Sequence, residues 1–163
     1  MNPPDRVETE RLVLRKPALT DAPEIYQRYA SDPEVTRFLG WARHRSIDDT
    51  RSFLQFSAAL WRDSPPGPYL IEAKSGRLLG STGLEVKSAR EAATGYVLAR
   101  DAWGHGYATE ALQSMIDLAR RLHFHKLQAL CHVEHEVSQH ILEKCGFRFT
   151  VQLAVDFPNL PAC

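Results

Sequence analysis

The chain alternates short apolar runs, which predict strands, with segments whose apolar residues recur every three or four positions, which predict amphipathic helices. The clearest case is the stretch of residues 94–111. Within it, residues 96–99 are apolar and rich in strand-forming side chains, and the glycines Gly104 and Gly106 follow. A helical pattern then begins, carried by Ala108, Ala111, Leu112, Met115, Ile116, Ala119 and Leu122. This stretch therefore predicts a buried strand, a glycine turn and an amphipathic helix.

A strand, a glycine turn and a helix in this order are typical of a binding site for a phosphate group. Glycines let the backbone approach a ligand closely, and the first N–H groups of a helix are unpaired and favour negative charge. The same pattern also fits an ordinary tight turn, and the glycine spacing alone leaves both interpretations open.

The rest of the chain predicts one α+β domain over residues 1–163 with a mostly antiparallel sheet. Further strands are predicted at residues 12–14, 69–71, 78–86, 127–133 and 147–151. Residues 87–92 are mostly polar and predict a connection into the central strand, which starts at Thr94. Further helices are predicted to begin near Asp21, Asp32, Ser46 and Val137.

Composition narrows the classes of protein to consider. The 163 residues, 44% of them hydrophobic, suit one domain with a real core. Lys plus Arg and Asp plus Glu balance at 20 each, so there is no basic field for nucleic acid, and we expect no such partner. Three cysteines without framework spacing favour a reducing compartment. No signal peptide or long apolar stretch is visible, so we expect a cytoplasmic protein without membrane contact.

Five segments, in order along the chain, resemble one family. They are residues 9–15 (TERLVLR), 32–35 (DPEV), 95–98 (GYVL), 103–111 (WGHGYATEA), and Ser138 with 142–147 (LEKCGF). Together they resemble the GNAT superfamily of acyl-CoA-dependent N-acetyltransferases, and most closely its ribosomal-protein N-terminal (RimJ/RimL-like) branch. No single segment decides this resemblance, which depends on all five standing in the family's order over residues 9–160.

The resemblance implies the GNAT-type three-layer fold, a mostly antiparallel mixed sheet with splayed central strands and helices on both faces. It also implies acetyl-CoA as acyl donor, lying along the central strand with its pyrophosphate on the glycine turn. The residues expected to bind it are Val97, Leu98, Ala99, Trp103, Gly104, His105, Gly106, Tyr107, Ala108, Thr109, His135, Ser138, Ile141 and Lys144.

Catalysis, by the same resemblance, is direct attack of an amine on the thioester in a ternary complex, without a metal. A backbone N–H near Leu98 would stabilise the oxyanion. Ser138 would give a proton to the leaving thiolate, since the tyrosine that other branches use is replaced by Leu142. His135 stands where the branch has an asparagine, which places one polar contact to acetyl-CoA in question.

The general base and the acceptor stay open. The family often has a glutamate where this chain has Ala93, so Glu85, Glu91 or a water chain are the candidates. Protein N-terminal amines, polyamines and amine-bearing antibiotics all fit as acceptors. The family also continues into one more strand. The sheet is therefore either completed by residues 152–157, left open at an edge, or covered by a second subunit in a homodimer.

Two other classes of function were weighed from the residues. A dinucleotide site is disfavoured because Thr109 stands where the third glycine of that fingerprint belongs. A metal site is disfavoured because His132, Glu134 and Glu136 face one way on a strand and His135 faces the other. A catalytically silent acyl-CoA-binding or interaction module of the same fold remains the alternative, suggested by Ala93 and His135.

Overall fold

The computed structural model describes residues 2–153 and 155–160. Its centre is a six-stranded sheet in which the strands lie in chain order. The strands are β1 (Arg6–Glu8), β2 (Leu12–Arg15), β3 (Pro68–Ala73), β4 (Leu78–Val86), β5 (Glu91–Leu98) and β6 (Lys126–Ala129). Neighbours are antiparallel from β1 to β5, and β6 lies parallel to β5. The expectation of a mixed, mostly antiparallel sheet is confirmed.

The described residues form five α-helices, which start within a residue of the predicted positions. They are α1 (Ala22–Ile25), α2 (Pro33–Thr36), α3 (Ile47–Asp63), α4 (Tyr107–Arg121) and α5 (Glu136–Lys144). A π-helical turn, Tyr26–Ala30, continues α1, and a 3₁₀ turn, Arg100–Ala102, follows β5. None of these helices is long and apolar enough to cross a membrane.

Alternate side chains of the strands enter two apolar cores, one on each face of the sheet. Leu98 of β5 lies in the first core with Met115 of α4. Its neighbour Val97 lies in the second core with Ile25 of α1 and Leu54 of α3. Helix α4 therefore covers one face while α1 and most of α3 cover the other, with Trp61 of α3 reaching the first core, which confirms the three-layer arrangement.

One strand was missed, and two predicted strands need correction at their ends. Strand β1 was not predicted, because only one of its three residues, Val7, is apolar. Strand β5 starts at Glu91, inside the segment interpreted as a polar connection. Strand β6 ends at Ala129, so the interpretation of residues 130–133 as strand is wrong. Strand β5 extends into polar residues because they pair with a neighbouring strand. Strand β6 stops within apolar residues because the residues after Ala129 have no strand to pair with among the described residues.

The predicted final strand, residues 147–151, is wrong. Residues 147–153 have no regular secondary structure, and Phe149 and Val151 are exposed. The chain then runs to the loop after α2, where the Asn159 amide donates to the carbonyls of Thr36 and Trp41.

Residues 152–157, apart from Ala154, which lies outside the described residues, form no strand either. No strand within the described ranges pairs with the outer edge of β6. Of the three outcomes expected for this end of the sheet, completion by residues 152–157 is therefore wrong.

Candidate active site

A cleft opens where β5 and β6 separate. The two strands pair over four residues each, and the last pair is Thr94 with Ala129. Beyond this point, which we call the fork, β6 has ended while β5 continues to Leu98. A side chain placed at Gly95, just past the fork, would meet no heavy atom within 4 Å. The splayed central strands implied by the resemblance are thus present, with open space beside them.

The backbone of β5 turns its hydrogen-bonding groups toward the cleft at alternate residues. Ala99 donates its N–H to the Leu79 carbonyl at 2.7 Å. Bonded and non-bonded residues alternate along antiparallel strands, so Val97 also faces β4, whereas Tyr96 and Leu98 face the cleft. Of the three residues predicted to pair with acetyl-CoA, Leu98 is therefore the one whose N–H faces the cleft.

The carbonyl groups at the end of β5 are already engaged. The Leu98 carbonyl accepts from the Trp103 indole N–H at 2.9 Å. The Ala99 carbonyl accepts from the Ala102 N–H, also at 2.9 Å. Trp103 thus fixes the turn that leads from the strand into the glycine loop, while its ring stays about half exposed.

The glycine loop presents a row of backbone donors. Gly104 and Gly106 have φ angles of 77° and 80°, in the left-handed region that favours glycine. Within the described residues, the backbone N–H groups from Gly104 to Thr109 have no hydrogen-bond acceptor. The last three of these groups open α4, where the helix dipole adds partial positive charge. This arrangement fits a phosphate or pyrophosphate group.

Glu110 ties the start of α4, next to the glycine loop, to the connection between β1 and β2. Its carboxylate accepts from the Thr9 hydroxyl, from the Arg11 backbone N–H at 2.9 Å and from the Arg11 guanidinium at 2.7 Å. Arg11 also donates to the His105 carbonyl at 2.7 Å. Burial alone would raise the pKa of Glu110, but the hydrogen bonds from Thr9 and Arg11 outweigh it and lower that pKa below its ordinary value. The first turn of α4 is therefore braced against the β1–β2 connection.

A broad groove extends from the glycine loop along α4. Its volume is about 1030 Å³, and its lining includes Arg6, Arg11, Gly106, Thr109, Gln113 and Lys144. Lys144, predicted to bind acetyl-CoA, thus reaches the same groove as the loop although 38 residues separate it from Gly106 in the chain. The full lining carries four cationic side chains, Arg6, Arg11, Arg121 and Lys144, and three carboxylates, Glu8, Glu110 and Asp117, so its charge is mixed.

Three polar side chains meet at the fork on the face covered by α4 and α5. Ser138 is only 9% exposed, and its hydroxyl lies beside the side chains of Tyr96 and Cys131. Burial raises the pKa of Tyr96, and the Ser138 hydroxyl beside it partly offsets that rise. Burial likewise raises the pKa of the Cys131 thiol, again offset in part by Ser138. Ser138 is thus placed at the fork, as a proton donor to a group in the cleft would have to be.

His135 lies at the residue before α5, and its ring contacts the other side of the cleft. It stacks on Phe38 with ring centroids 4.8 Å apart, and His132 stacks on Phe38 at 4.9 Å. Burial, and then the neighbouring His132, lower the pKa of His135 below its ordinary value. The ring is therefore directed at the loop after α2, while its role toward acetyl-CoA stays a prediction.

Both carboxylates named as base candidates are paired with lysines. Glu85 accepts from Lys87 at 2.6 Å, and Glu91 lies 3.6 Å from Lys126. The register places Glu85 directly opposite Ala93, the position where the family often has its glutamate. Since side chains of paired residues share a face, the Glu85 carboxylate lies on the face where that glutamate would stand.

The other predicted residues lie around the loop in supporting positions. The Tyr107 ring lies under the Arg11 guanidinium, 4.7 Å from its centroid, and His105 packs beside it. Ala108 is buried in the first core, and Ile141 of α5 packs against that core. Within residues 2–153 and 155–160, no group of three or more His, Cys, Asp or Glu side chains is arranged to hold a metal ion.

The sequence of the chain is similar to those of known proteins. The acetyltransferase (GNAT) domain family matches residues 11–148, most of the chain. The protein is a GNAT acetyltransferase. N-acetyltransferase p20 of Bacillus licheniformis is 31% identical to it over 144 residues, which cover 86% of this chain and 80% of p20.

Solved structures confirm the GNAT fold. The ribosomal-protein α-N-acetyltransferase RimL, in complex with coenzyme A joined by a disulfide to one of its cysteines, superposes with a TM-score of 0.78. It is 22% identical and covers 87% of this chain and 83% of its own. The microcin self-immunity acetyltransferase MccE, in complex with acetyl-CoA and AMP, has a TM-score of 0.76 at 22% identity, with 85% and 79% covered.

Family membership makes this GNAT protein an acyltransferase with acetyl-CoA as donor. The residues that sequence reasoning missed are Tyr96 and the brace formed by Thr9, Arg11 and Glu110. Tyr96 lies two residues past the fork, and the position of the fork depends on where β6 ends, which the sequence did not predict. The brace joins residues about 100 positions apart and left no local pattern in the sequence.

Proposed function

We propose that this GNAT acetyltransferase transfers the acetyl group of acetyl-CoA to a primary amine by direct attack in a ternary complex. The observation that carries the proposal is the order of hydrogen-bond donors along the glycine loop and β5. A row of unpaired N–H groups, from Gly104 to Thr109, leads along β5 to the free N–H of Leu98 and on to Ser138 at the fork. This order offers donors for phosphate at the glycine loop and a donor for a reacting carbonyl on β5.

The residues present fit acetyl-CoA. The glycine loop supplies backbone donors for the pyrophosphate, and Lys144 lines the same groove as the loop. Other backbone groups of β5 can pair with the pantetheine arm, because no strand within the described residues occupies that edge of β5 beyond the fork. When bound, acetyl-CoA supplies the thioester that an amine can attack.

Ser138 and Leu98 take complementary roles. The Leu98 N–H stabilises negative charge that develops on the acetyl oxygen, an effect that contributes roughly 10²-fold or more when the donor is well aimed. Ser138 holds a proton in a buried position where the departing sulfur can receive it. For the general base, Glu85 opposite Ala93, Glu91 and a water chain remain the candidates.

The acceptor is a primary amine, and a protein N-terminal amine, a polyamine and an amine-bearing antibiotic are the classes to test. RimL is a ribosomal-protein acetyltransferase and MccE is a microcin self-immunity acetyltransferase, so proteins of this fold serve different biological roles. Open space at Gly95 and the aromatic group of Phe38, His132 and His135 border the side from which an acceptor would approach.

An acceptor panel tests the activity. Thiol release from acetyl-CoA is measured with N-terminal peptides, polyamines and aminoglycosides, and each acetylated product is verified by mass. We expect turnover with one class, and loss of that turnover in Ser138→Ala while acetyl-CoA still raises the melting temperature. Stabilisation by acetyl-CoA without turnover on any acceptor would instead support the alternative, a catalytically silent acyl-CoA-binding module.

The proposal includes a cytoplasmic homodimer. The unpaired edge of β6 and the exposed side chains of Leu130, Phe149, Val151 and Leu153 favour cover by a second copy. Light scattering after size exclusion measures the mass in solution. A monomer at all concentrations would contradict this part of the proposal and leave the rest unaffected.

A further inference from the structure

The loop after α2, residues 37–43, makes few backbone hydrogen bonds of its own. We call it the α2 loop. Within the described ranges, the one backbone-to-backbone hydrogen bond of residues 38–43 joins the Leu39 N–H to the Thr36 carbonyl, at 3.1 Å. Leu39 packs against the second core, but a side chain placed at Gly40 would meet no heavy atom within 4 Å. The position of the second half of this loop therefore depends on contacts from elsewhere in the chain.

The half-buried side chain of Asn159 makes such contacts with both ends of the α2 loop. Its amide nitrogen donates to the Thr36 carbonyl at 2.8 Å and to the Trp41 carbonyl at 2.9 Å. Its amide oxygen accepts from the Arg43 N–H at 2.8 Å, although 116 residues separate the two in the chain. Two carbonyls face the nitrogen and one N–H faces the oxygen, so all three contacts agree with one orientation of the amide. Asn159 therefore fixes the loop.

Aromatic rings connect the α2 loop to the segment that follows β6. Phe38 stacks on His132 and His135, with ring centroids 4.9 Å and 4.8 Å apart. Phe157, two residues before Asn159, packs on His132 at 4.8 Å with the two rings nearly perpendicular. Helix α2 contacts β5, whereas His132 and His135 lie beyond the end of β6. Phe38 therefore bridges the two sides of the cleft beyond the fork.

This bridge lies on the face of the sheet opposite Ser138. Gly95 is two residues before Val97, whose side chain enters the second core, so Gly95 faces the layer that contains α1, α2 and α3. Ser138 lies beside Tyr96, on the face covered by α4 and α5. In the proposed reaction the proton donor therefore occupies one face of the cleft. The open space at Gly95, bordered by Phe38, is left on the other face for the acceptor amine.

We propose that Asn159 is a positioning residue for the acceptor: it fixes the α2 loop so that Phe38 closes on the two histidines and forms the wall that orients the amine. The inference rests on the proposed acetyl transfer and adds a residue to its acceptor side. Asn159 acts through Phe38, not by contact with the reacting groups. Because the donor site is formed by the glycine loop and β5, the loss of Asn159 should leave the binding of acetyl-CoA unchanged.

Steady-state kinetics test this role with the member of the acceptor panel that turns over fastest. Asn159→Ala removes all three hydrogen bonds to the loop. We expect the KM for the acceptor to rise about 10-fold, with kcat changed by less than about 2-fold and the affinity for acetyl-CoA unchanged. Asp156→Ala is the matched control, since Asp156 is an exposed residue of the same segment, and its KM should equal that of the parent.

Asn159→Asp separates the lost hydrogen bonds from lost volume. The substitution keeps the size of the side chain but turns a carboxylate oxygen toward the carbonyls of Thr36 and Trp41, which repel it. We expect the KM for the acceptor to rise at least as much as in Asn159→Ala. A KM equal to the parent's in Asn159→Asp would overturn the proposal.

A double-mutant cycle tests whether Asn159 acts through Phe38. Phe38→Ala removes the ring from the wall and should also raise the KM for the acceptor about 10-fold. If Asn159 serves only to hold that ring, the double substitution should have about the effect of Phe38→Ala alone. Independent effects would multiply to about 100-fold, and this result would overturn the proposal.

Hydrogen exchange gives a measurement that does not depend on turnover. The amides of the α2 loop, including that of Arg43, should exchange faster in Asn159→Ala than in the parent and in Asp156→Ala. Unchanged exchange would overturn the proposal. So would a lower KM for the acceptor, which would mean that the segment around Asn159 obstructs the site, or a loss of acetyl-CoA affinity, which would mean a general structural role.

The kinetic outcomes separate this inference from the proposed function. Turnover by the parent with an unchanged acceptor KM in Asn159→Ala rejects the role of Asn159 alone. A parent protein that is stabilised by acetyl-CoA but acetylates no member of the panel rejects the proposed transfer, and the role of Asn159 with it.

Discussion

Replacing Glu110 by alanine should weaken the fold and the donor site together, because this carboxylate joins α4 to the connection between β1 and β2. The change removes the acceptor for the Thr9 hydroxyl and for the Arg11 backbone N–H. It also frees the Arg11 guanidinium, which otherwise holds the His105 carbonyl in the glycine loop. The glycine loop then loses its main tie to the rest of the sheet.

The size of the effect follows from these contacts. Hydrogen bonds to a charged group contribute about 1.5–3 kcal/mol each, and partial exposure reduces that figure. Counting the two bonds from Thr9 and the Arg11 backbone, and nothing for the exposed guanidinium, we expect a loss of about 2–3 kcal/mol in unfolding free energy. For a domain of this size that lowers the melting temperature by roughly 4–12 °C. The affinity for acetyl-CoA should fall as well.

Differential scanning calorimetry and titration with acetyl-CoA measure both effects, with Asp117→Ala as control. Asp117 is on the same helix, but its side chain is 57% exposed and its contact with Arg120 is 3.6 Å long. We expect the control to melt close to the parent. A Glu110→Ala protein that melts within about 1 °C of the parent would refute the view that this brace stabilises the fold.

The difference in stability between the parent protein and Glu110→Ala should depend on pH. The pKa of Glu110 is lower in the folded protein than its ordinary value of 4.5, so its contribution to stability is fully present above that value. The contribution is lost as the pH falls through the lower, folded-state pKa. The difference in melting temperature between the parent and Glu110→Ala should therefore be constant near neutral pH and shrink below about pH 4.5. A difference that grows on acidification would contradict this assignment.

Four further substitutions test the cleft, the glycine loop and the packing of β4 against β5. Ser138→Ala should lower turnover by roughly 10- to 10³-fold with acetyl-CoA affinity unchanged, and equal turnover would remove Ser138 from the mechanism. Tyr96→Phe removes the hydroxyl beside Ser138 without changing the packing, so kcat should fall while the melting temperature stays; a kcat equal to the parent's would leave the tyrosine a purely structural role. Gly106→Ala should cost about 1–2 kcal/mol through its left-handed backbone and weaken acetyl-CoA binding in titration. Gly80→Ala would overlap the Val97 carbonyl and should lower the melting temperature strongly.

The sequence predicted best those features that depend on neighbours along the chain. The helix after Gly106 follows from the spacing of Ala108, Ala111 and Met115, and all three are buried in the first core. The positive φ angles of Gly104 and Gly106 agree with the turn that these glycines were taken to form. Local backbone preference and the helical period are fixed by residues within a few positions, which is why this part of the site could be predicted.

Features that depend on distant residues were not predicted. Strand β1 has one apolar residue, Val7, and forms because it pairs with β2. Which backbone groups of β5 face the cleft depends on the bond between Ala99 and Leu79, and that bond depends on the register with β4. The position of Tyr96 beside Ser138 depends in turn on where β6 ends. None of these pairings has a local pattern in the sequence.

The failed prediction at residues 147–151 shows how the edge of the sheet and the active site depend on one another. Alternation of apolar and polar side chains makes a segment competent to be a strand, but a strand also needs a partner for its backbone groups. The candidate partner, β6, has only four residues, and all of them lie before the fork. Pairing along a longer β6 would extend it beyond Ala129 and hold residues 130–131 straight beside β5. Any ligand or subunit that orders residues 147–153 against β6 would therefore also fix the position of Cys131 and, through it, one wall of the cleft.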